Sequence, residues 1–204
     1  MQHRLHLNKR GIRVLGVAES FDQRQPHSTI AGVVMRGDLV IDGFAFGKTT
    51  VGGEDATRAV LSLYRRFRRN DINLLMLSGC IISGYNIVDV DSLSERTRRP
   101  VVCLTYNETA GIESTLKKRF PGDRKRLDAY HRLGERRSIT LRSGHVVYVR
   151  TSGMSAEEAR STVDSFTLQG AVPEPVRVAR LLARAAGPRI LGSSPRGSSG
   201  SPGR

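Results

Sequence analysis

Two short, almost wholly apolar segments constrain the fold more than any other feature of this chain. They are residues 72–77 (INLLML) and residues 100–105 (PVVCLT). Apolar runs of this length are typical of central β-strands that are buried on both faces, as in parallel sheets covered by helices. A loop at 79–86 and a short helix after it would then connect two parallel strands.

Three more strands and a long helix are predicted before this pair. Apolar or alternating patterns predict the strands, and an apolar stripe at helical spacing predicts the helix. The strands are 12–19, 28–35 and 38–46, and the helix is 54–69. Three antiparallel strands followed by parallel crossovers is the order of the RNase H-like α/β fold, a mixed sheet flanked by helices. Order alone leaves other mixed α/β folds open.

The rest of the chain is predicted to be mainly helical, with one hairpin. The first of these helices is expected at 108–133, with a break near 121–122. A second helix should follow Ser155, which is the predicted N-cap with Glu158 at the third helical position, and a third should begin at about 173. The predicted hairpin strands are 138–142 and 145–151. We predict one domain, because a chain of this length is typical of a single core. It spans 12–186, between a basic N-terminal extension (1–11) and a disordered Gly/Ser/Pro-rich tail (187–204).

The net charge points to a polyanionic partner. The 204 residues include 33 Lys and Arg against 19 Asp and Glu, a formal net charge of +14. Charge of this size favours nucleic acid, whose phosphates release counterions on contact. No apolar run approaches the roughly 20 residues that span a bilayer, so we expect a cytoplasmic protein. Cys80 and Cys103 lie in apolar stretches and are expected to be buried free thiols.

Three acidic residues lie where strands end or helices begin. Glu19 ends the first strand, Asp55 opens the long helix and Asp89 follows the 79–86 loop. Carboxylates that converge from separate elements can hold Mg²⁺ or Mn²⁺ for phosphodiester hydrolysis, so all three are candidate catalytic residues and metal ligands. Each also has a structural alternative: a helix N-terminal charge for Asp55, an N-cap for Asp89 and a solvated carboxylate for Glu19.

Five segments give the chain a resemblance to the archaeal endonuclease dU family. In chain order they are RVLGVAESF (13–21), EDAT (54–57), LLMLSGCIISGYNIVDV (74–90), RPVVCL (99–104) and GAVPEPVRVARLL (170–182). That family is similar to endonuclease V. The resemblance implies an RNase H-like core and cleavage of DNA near deaminated bases, deoxyuridine in particular.

The chain departs from the family pattern where the resemblance implies metal ligands. Many relatives read Gly-Ile-Asp-Asp where this chain has Gly-Val-Ala-Glu at 16–19, and neighbouring strand residues point to opposite faces. Many relatives also have Asp at Gly52. Ser78 stands where an Asp ends the strand in many relatives, and Arg180 stands at a histidine of endonuclease V. Serine is neutral and a poorer Mg²⁺ ligand than a carboxylate.

We therefore predict a metal-dependent endodeoxyribonuclease that acts at deoxyuridine, with deoxyinosine as a further substrate, in DNA repair. The alternative is a nucleic-acid-binding protein that kept the fold and lost the metal, and RNA is the alternative substrate. Tyr85 and Asn86 are predicted to bind the nucleic acid, with Tyr85 in contact with the damaged base unless it is a core aromatic. The phosphates would be held by Arg58, Lys117, Lys118, Arg177 and Arg180.

Overall fold

The computed structural model describes residues 11–108 and 111–191, and the elements alternate between strands and helices. The strands are β1 (Arg13–Ser20), β2 (His27–Arg36), β3 (Ile41–Thr50), β4 (Leu74–Leu77), β5 (Ile81–Ile82), β6 (Asn86–Ile87), β7 (Val101–Thr105), β8 (Arg137–Thr140) and β9 (Val146–Ser152). The helices are α1 (Ala56–Arg66), α2 (Val90–Thr97), α3 (Glu113–Arg119), α4 (Arg124–Arg132), α5 (Ala156–Ser165) and α6 (Glu174–Leu191).

The main sheet has seven strands in the order β3-β2-β1-β4-β7-β9-β8. β1, β2 and β3 form an antiparallel meander, β4 lies parallel between β1 and β7, and β9 pairs antiparallel with β7 and β8. The predicted mixed sheet is confirmed, including the parallel pairing of the two apolar segments.

Side chains alternate between the two faces of the central strands and supply two cores. Leu75 of β4 packs in the core formed with α1 and α2, while Leu74 and Met76 pack in the core formed with α5 and α6. This alternation explains why the segment is apolar throughout, because both faces are covered by helices. In the described part of the chain, no helix is long and apolar enough to cross a membrane.

Three boundaries differ from the predictions. β3 begins at Ile41 rather than 38, because residues 37–40 form a turn in which Leu39 adopts a positive φ of 67°. The 79–86 loop contains most of the β5–β6 hairpin, whose strands are too short to show an alternating pattern. α6 continues to Leu191, past the predicted start of the tail at 187. The predicted N-terminal extension, up to residue 10, and residues 192–204 of the predicted tail lie outside the described residues.

Candidate functional site

The candidate site lies at one edge of the main sheet, where three parallel strands end. β1, β4 and β7 are neighbours and run in the same direction, so their carboxyl ends meet at this edge. Ligands of open α/β sheets bind at such an edge. The chain places Glu19 at the end of β1, Ser78 directly after β4 and Tyr106 directly after β7.

Glu19 points to the face of the sheet opposite Ser78. Its neighbour Ala18 packs against α6, as Ser78 does, whereas the Glu19 carboxylate contacts the β5–β6 hairpin. There the Ser83 backbone N–H donates at 3.0 and 2.8 Å and the Ser83 hydroxyl at 2.5 Å. Burial raises the pKa of Glu19, and the Ser83 hydrogen bonds offset part of the rise. Position 18 thus lies on the same face as Ser78, and the carboxylate at position 19 lies on the other face.

The Asp55 carboxylate is occupied by neighbouring donors. The Thr49 and Thr50 hydroxyls donate to it at 2.8 and 2.9 Å, and the Thr50 backbone N–H donates at 3.1 Å. The Asn86 side-chain amide donates at 2.6 Å. Burial would raise the pKa of Asp55, but these hydrogen bonds outweigh it and hold the pKa below its ordinary value. Asp55 therefore ties the end of β3 to the start of α1.

Asn86 is a structural link and does not contact solvent. Its side chain is fully buried, and its amide donates to Thr49 Oγ1 and to the Thr50 carbonyl as well as to Asp55. Its carbonyl accepts from the Ala56 backbone N–H at 2.9 Å. The predicted contact of Asn86 with nucleic acid stays a prediction, and the enclosed side chain, whose hydrogen-bonding groups are used within the protein, favours a structural role instead.

Asp89 caps α2, which is the structural alternative weighed above. Its Oδ1 accepts from the Ser92 backbone N–H at 2.9 Å, and its own backbone N–H donates to Thr57 Oγ1 at 2.9 Å. It lines a cavity of about 280 Å³ beside Arg132 and Met154. Glu19 lines a different cavity of about 400 Å³ that also contains Phe120.

The predicted metal site of three carboxylates is therefore not assembled. Among residues 11–108 and 111–191, no three His, Cys, Asp or Glu side chains are grouped so as to hold a metal ion. The carboxylates of Glu19 and Asp55 each accept hydrogen bonds from protein donors, and the carboxylate of Asp89 caps the N-terminus of α2. These residues do not fit a shared Mg²⁺ or Mn²⁺ ion, which needs carboxylate oxygens converging on one point.

A guanidinium group contacts Ser78, the residue that stands where the resemblance implies an acid. Arg180 of α6 donates to Ser78 Oγ from Nε at 2.9 Å and from Nη2 at 2.7 Å. Its guanidinium carbon lies 4.7 Å from the centre of the Tyr106 ring, a cation–π distance. A divalent cation about 4 Å from this charge would be repelled by about 8 kcal/mol at an effective dielectric constant near 20. The charge here favours an anion.

Arg180 lines a cavity of about 380 Å³, here called the strand-end pocket. No Asp or Glu is among its described lining residues, although basic and aromatic side chains are. Those that define it are Ser78, Cys80, Tyr85, Tyr106, Tyr130, Arg136, Arg150 and Arg180.

The predicted burial of the Cys80 and Cys103 thiols is confirmed. A hydrogen bond with Cys103 lowers the pKa of Cys80 to about 7, and the charge of Arg150 adds to this effect.

Tyr85 stands between the strand-end pocket and the cavity beside Glu19, and it lines both. Its ring meets Phe120 edge-on at 6.1 Å, and the Arg119 guanidinium lies 5.6 Å from its centre. Its backbone has a positive φ of 73°, uncommon for a bulky residue. Tyr85 is half-buried rather than a core aromatic, so its contact with a base stays a proposal.

The other predicted phosphate-binding residues are exposed on three helices, α1, α3 and α6. Arg58 and Lys118 project from α1 and α3. Lys117 pairs with Glu113 at 2.6 Å, and Arg177 pairs with the buried carboxylate of Glu174. The ion pair between Lys117 and Glu113 is exposed and therefore weak, so Lys117 remains available to phosphate, whereas Arg177 is held by a buried carboxylate.

Sequence reasoning missed Arg136, Arg150, Tyr106 and Tyr130 as lining residues of the strand-end pocket. Each lies on a different element or loop, and none belongs to a recognisable motif. The available signal was positional: Tyr106 directly follows an apolar strand that ends at the site edge. Arg150 became visible only through the pairing of β9 with β7, which places it opposite Cys103.

Replacement of Asp55 by asparagine tests its structural role. We expect Asp55→Asn to lower the free energy of unfolding at pH 7 by about 1–3 kcal/mol, because charge-assisted hydrogen bonds are lost. Because the pKa of Asp55 is lower in the folded protein than its ordinary value of 3.8, the ionised carboxylate stabilises the fold at pH values above 3.8. This contribution is lost as the pH falls through the pKa of the folded state. The wild-type advantage in urea unfolding should therefore shrink from pH 7 to pH 3. Asp128→Asn, at an exposed position of α4, is the control; an equal loss in both variants would contradict the role.

Comparison with known proteins identifies the family. The UPF0215 protein of Pyrobaculum aerophilum is 35% identical over 173 residues, which cover 84% of this chain and 92% of that protein. The family model described as Endonuclease dU matches residues 10–187. The chain belongs to the endonuclease dU family. The resemblance drawn from five segments is confirmed.

Solved structures whose fold is similar to that of this endonuclease dU family member include endonuclease V. A protein of unknown function from Archaeoglobus fulgidus has a TM-score of 0.74 at 30% identity, covering 85% of this chain and 97% of that one. Endonuclease V of Ciona intestinalis, in complex with DNA containing an inosine, has a TM-score of 0.59 at 13% identity, covering 87% and 86%. The RNase H-like, endonuclease V-like fold is confirmed, and family and fold together support a nuclease.

Proposed function

We propose that this endonuclease dU family member recognises DNA that carries deaminated bases, with deoxyuridine as the first expected base and deoxyinosine as the second. The strand-end pocket is the observation that carries the proposal. Its volume of about 380 Å³ lies in the range of ligand sites, and it combines tyrosines with guanidinium groups. Tyrosine rings stack on bases, and guanidinium forks pair with phosphates.

The deaminated base would leave the duplex to reach this pocket. Unstacking costs less for a mispaired base such as uracil opposite guanine, which supplies part of the selectivity. Tyr85 at the rim would contact the extruded base or its neighbour. Arg58, Lys117, Lys118 and Arg177 would contact phosphates outside the pocket, and the net charge of +14 would speed association at low salt. RNA remains the alternative strand.

Two candidate functions differ in whether the bound strand is cut. The first is metal-dependent cleavage with Glu19, Asp55 and Asp89, as predicted from the sequence. The second is recognition without metal-dependent cleavage. The contact between Arg180 and Ser78 favours the second, because it places a positive charge where a metal-binding acid is expected. We therefore rank recognition as the function that the geometry supports best.

An oligonucleotide assay tests this ranking. Duplexes with one deoxyuridine, one deoxyinosine or no damaged base are incubated with the purified chain in Mg²⁺, Mn²⁺ or EDTA, and binding and nicking are measured together. We expect selective, salt-sensitive binding in all three solutions and no metal-dependent nicking. Nicking at deoxyuridine that needs Mg²⁺ or Mn²⁺ and is abolished in Glu19→Gln and Asp55→Asn would reverse the ranking.

A further inference from the structure

The strand-end pocket concentrates positive charge from three separate parts of the fold. Arg136 lies directly before β8, Arg150 in β9 and Arg180 in α6, and all three side chains line the same cavity. Arg150 and Arg180 bring like charges into one cavity, and an anion bound between them would offset their repulsion. No Asp or Glu is among the described lining residues, so for Arg150 and Arg180 a ligand is the natural source of that negative charge.

Arg180 is fixed in place by neutral groups. Both described hydrogen bonds of its guanidinium go to one oxygen, Ser78 Oγ, and its flat face covers the Tyr106 ring. Arg177, on the same helix, contrasts with it because that guanidinium is paired with Glu174. Within the part of the chain that the structure describes, no carboxylate is paired with Arg180. Its orientation is thus set by the protein while its charge is left for a partner.

Arg150 supplies a second oriented cation in the pocket. Its Nε donates to the Gly134 carbonyl at 3.1 Å, and its Nη1 donates to Cys80 Sγ at 3.5 Å. Cys80 and Ser78 lie two residues apart after β4, so the contacts of Arg150 and Arg180 meet on one short segment. This arrangement resembles an anion cradle more than a cation site, because guanidinium groups from two elements line it and no Asp or Glu is among its described lining residues.

We propose that Arg180 and Ser78, assisted by Arg150, bind a phosphate group of the nucleic acid strand next to the recognised base. The inference rests on the proposed recognition of DNA and assigns the atoms that hold the strand. Without phosphate, Nε and Nη2 of Arg180 both donate to Ser78 Oγ. With phosphate bound, the same two groups donate to two phosphate oxygens in the fork geometry of guanidinium–phosphate pairs. The Ser78 hydroxyl donates to the same group. An anion occupies the place that a metal ion would need.

The test measures binding of a deoxyuridine-containing duplex by fluorescence anisotropy in EDTA over a range of salt concentrations. Arg180→Met should weaken binding about tenfold and lower the slope of log K against log salt by about 1. Arg184→Met removes a charge from an exposed position of the same helix and should change affinity less than about twofold.

A competition experiment identifies the bound group. Deoxyuridine 5′-phosphate should displace the duplex better than inorganic phosphate or deoxyuridine does. Equal displacement by inorganic phosphate would indicate a free-phosphate site and overturn the assignment.

Two further variants separate the role of Arg180 from folding and from metal binding. Arg180→Lys keeps the charge and loses the fork, so affinity should fall while the salt slope stays. Ser78→Asp should weaken binding about tenfold, because its carboxylate would pair with Arg180 and repel phosphate. A Ser78→Asp variant that binds as tightly as wild type, or an Arg180→Met variant with unchanged affinity and slope, would overturn the inference while selective binding by wild type still stood. Loss of selectivity in wild type itself would instead defeat the proposed function.

Discussion

Gly16→Ala is expected to lower the free energy of unfolding by about 3 kcal/mol, because the new methyl group has no space. A Cβ at Gly16 would overlap the backbone carbonyl of Pro175, where α6 crosses β1. Backbone on both sides leaves no flexible side chain to move, so the helix must shift. For a chain of this length the melting temperature should fall by roughly 10 °C, measured by circular dichroism.

The same substitution should also weaken DNA binding, since α6 carries Arg180 to Ser78. Gly11→Ala is the matched control, because a Cβ at Gly11 meets nothing within 4 Å. Unchanged stability in Gly16→Ala would show that α6 does not pack on β1 as described. Lower stability with unchanged binding would show that the position of α6 does not matter to the site.

Arg126→Met is expected to cost about 3 kcal/mol and to loosen the loop that carries Tyr85. The Arg126 side chain is almost fully buried, and it donates to the carbonyls of Gly52 (2.9 Å), Gly53 (3.0 Å) and Tyr85 (2.7 Å). Removing it leaves three acceptors and the Asp123 carboxylate without this donor. Thermal melting and hydrogen exchange of residues 79–87 would measure the two effects.

Arg124→Met, at an exposed position of the same helix, is the control for Arg126→Met. Hydrogen exchange in the 79–87 segment should rise in the Arg126 variant and stay unchanged in the Arg124 variant. A stable Arg126 variant with normal protection of the loop would mean that the guanidinium does not hold Tyr85 in its left-handed backbone conformation.

The central sheet was predictable because its physical signal is local. A segment such as 74–77 that is apolar on both faces has few alternatives to a covered central strand, and the meander before it follows from chain order. The β5–β6 hairpin was missed because two-residue strands carry no periodicity. The predicted tail begins at 187, whereas α6 continues to Leu191, because a Gly/Ser/Pro-rich composition indicates a tail without locating the last turn of the helix before it.

The candidate site was predicted less well, because side-chain roles depend on contacts between distant residues. The sequence predicts Asn86 and Asp89 as site residues from their places in and after the 79–86 loop, whereas the structure shows that Asp89 caps α2 and that Asn86 is enclosed. Strand alternation did anticipate that Glu19 cannot replace an acid at position 18. The pairing of Arg180 with Ser78 joins residues far apart in sequence, and no local pattern reveals it.

Base-selective binding in EDTA tests most directly whether this protein recognises a deaminated base without a metal ion. The measurement is the ratio of dissociation constants for two duplexes that differ only in one uracil–guanine pair against one cytosine–guanine pair, with the full chain and no divalent metal. We expect about tenfold tighter binding of the uracil duplex. Equal binding of the two duplexes, or selectivity that appears only when Mg²⁺ or Mn²⁺ is added, would contradict it.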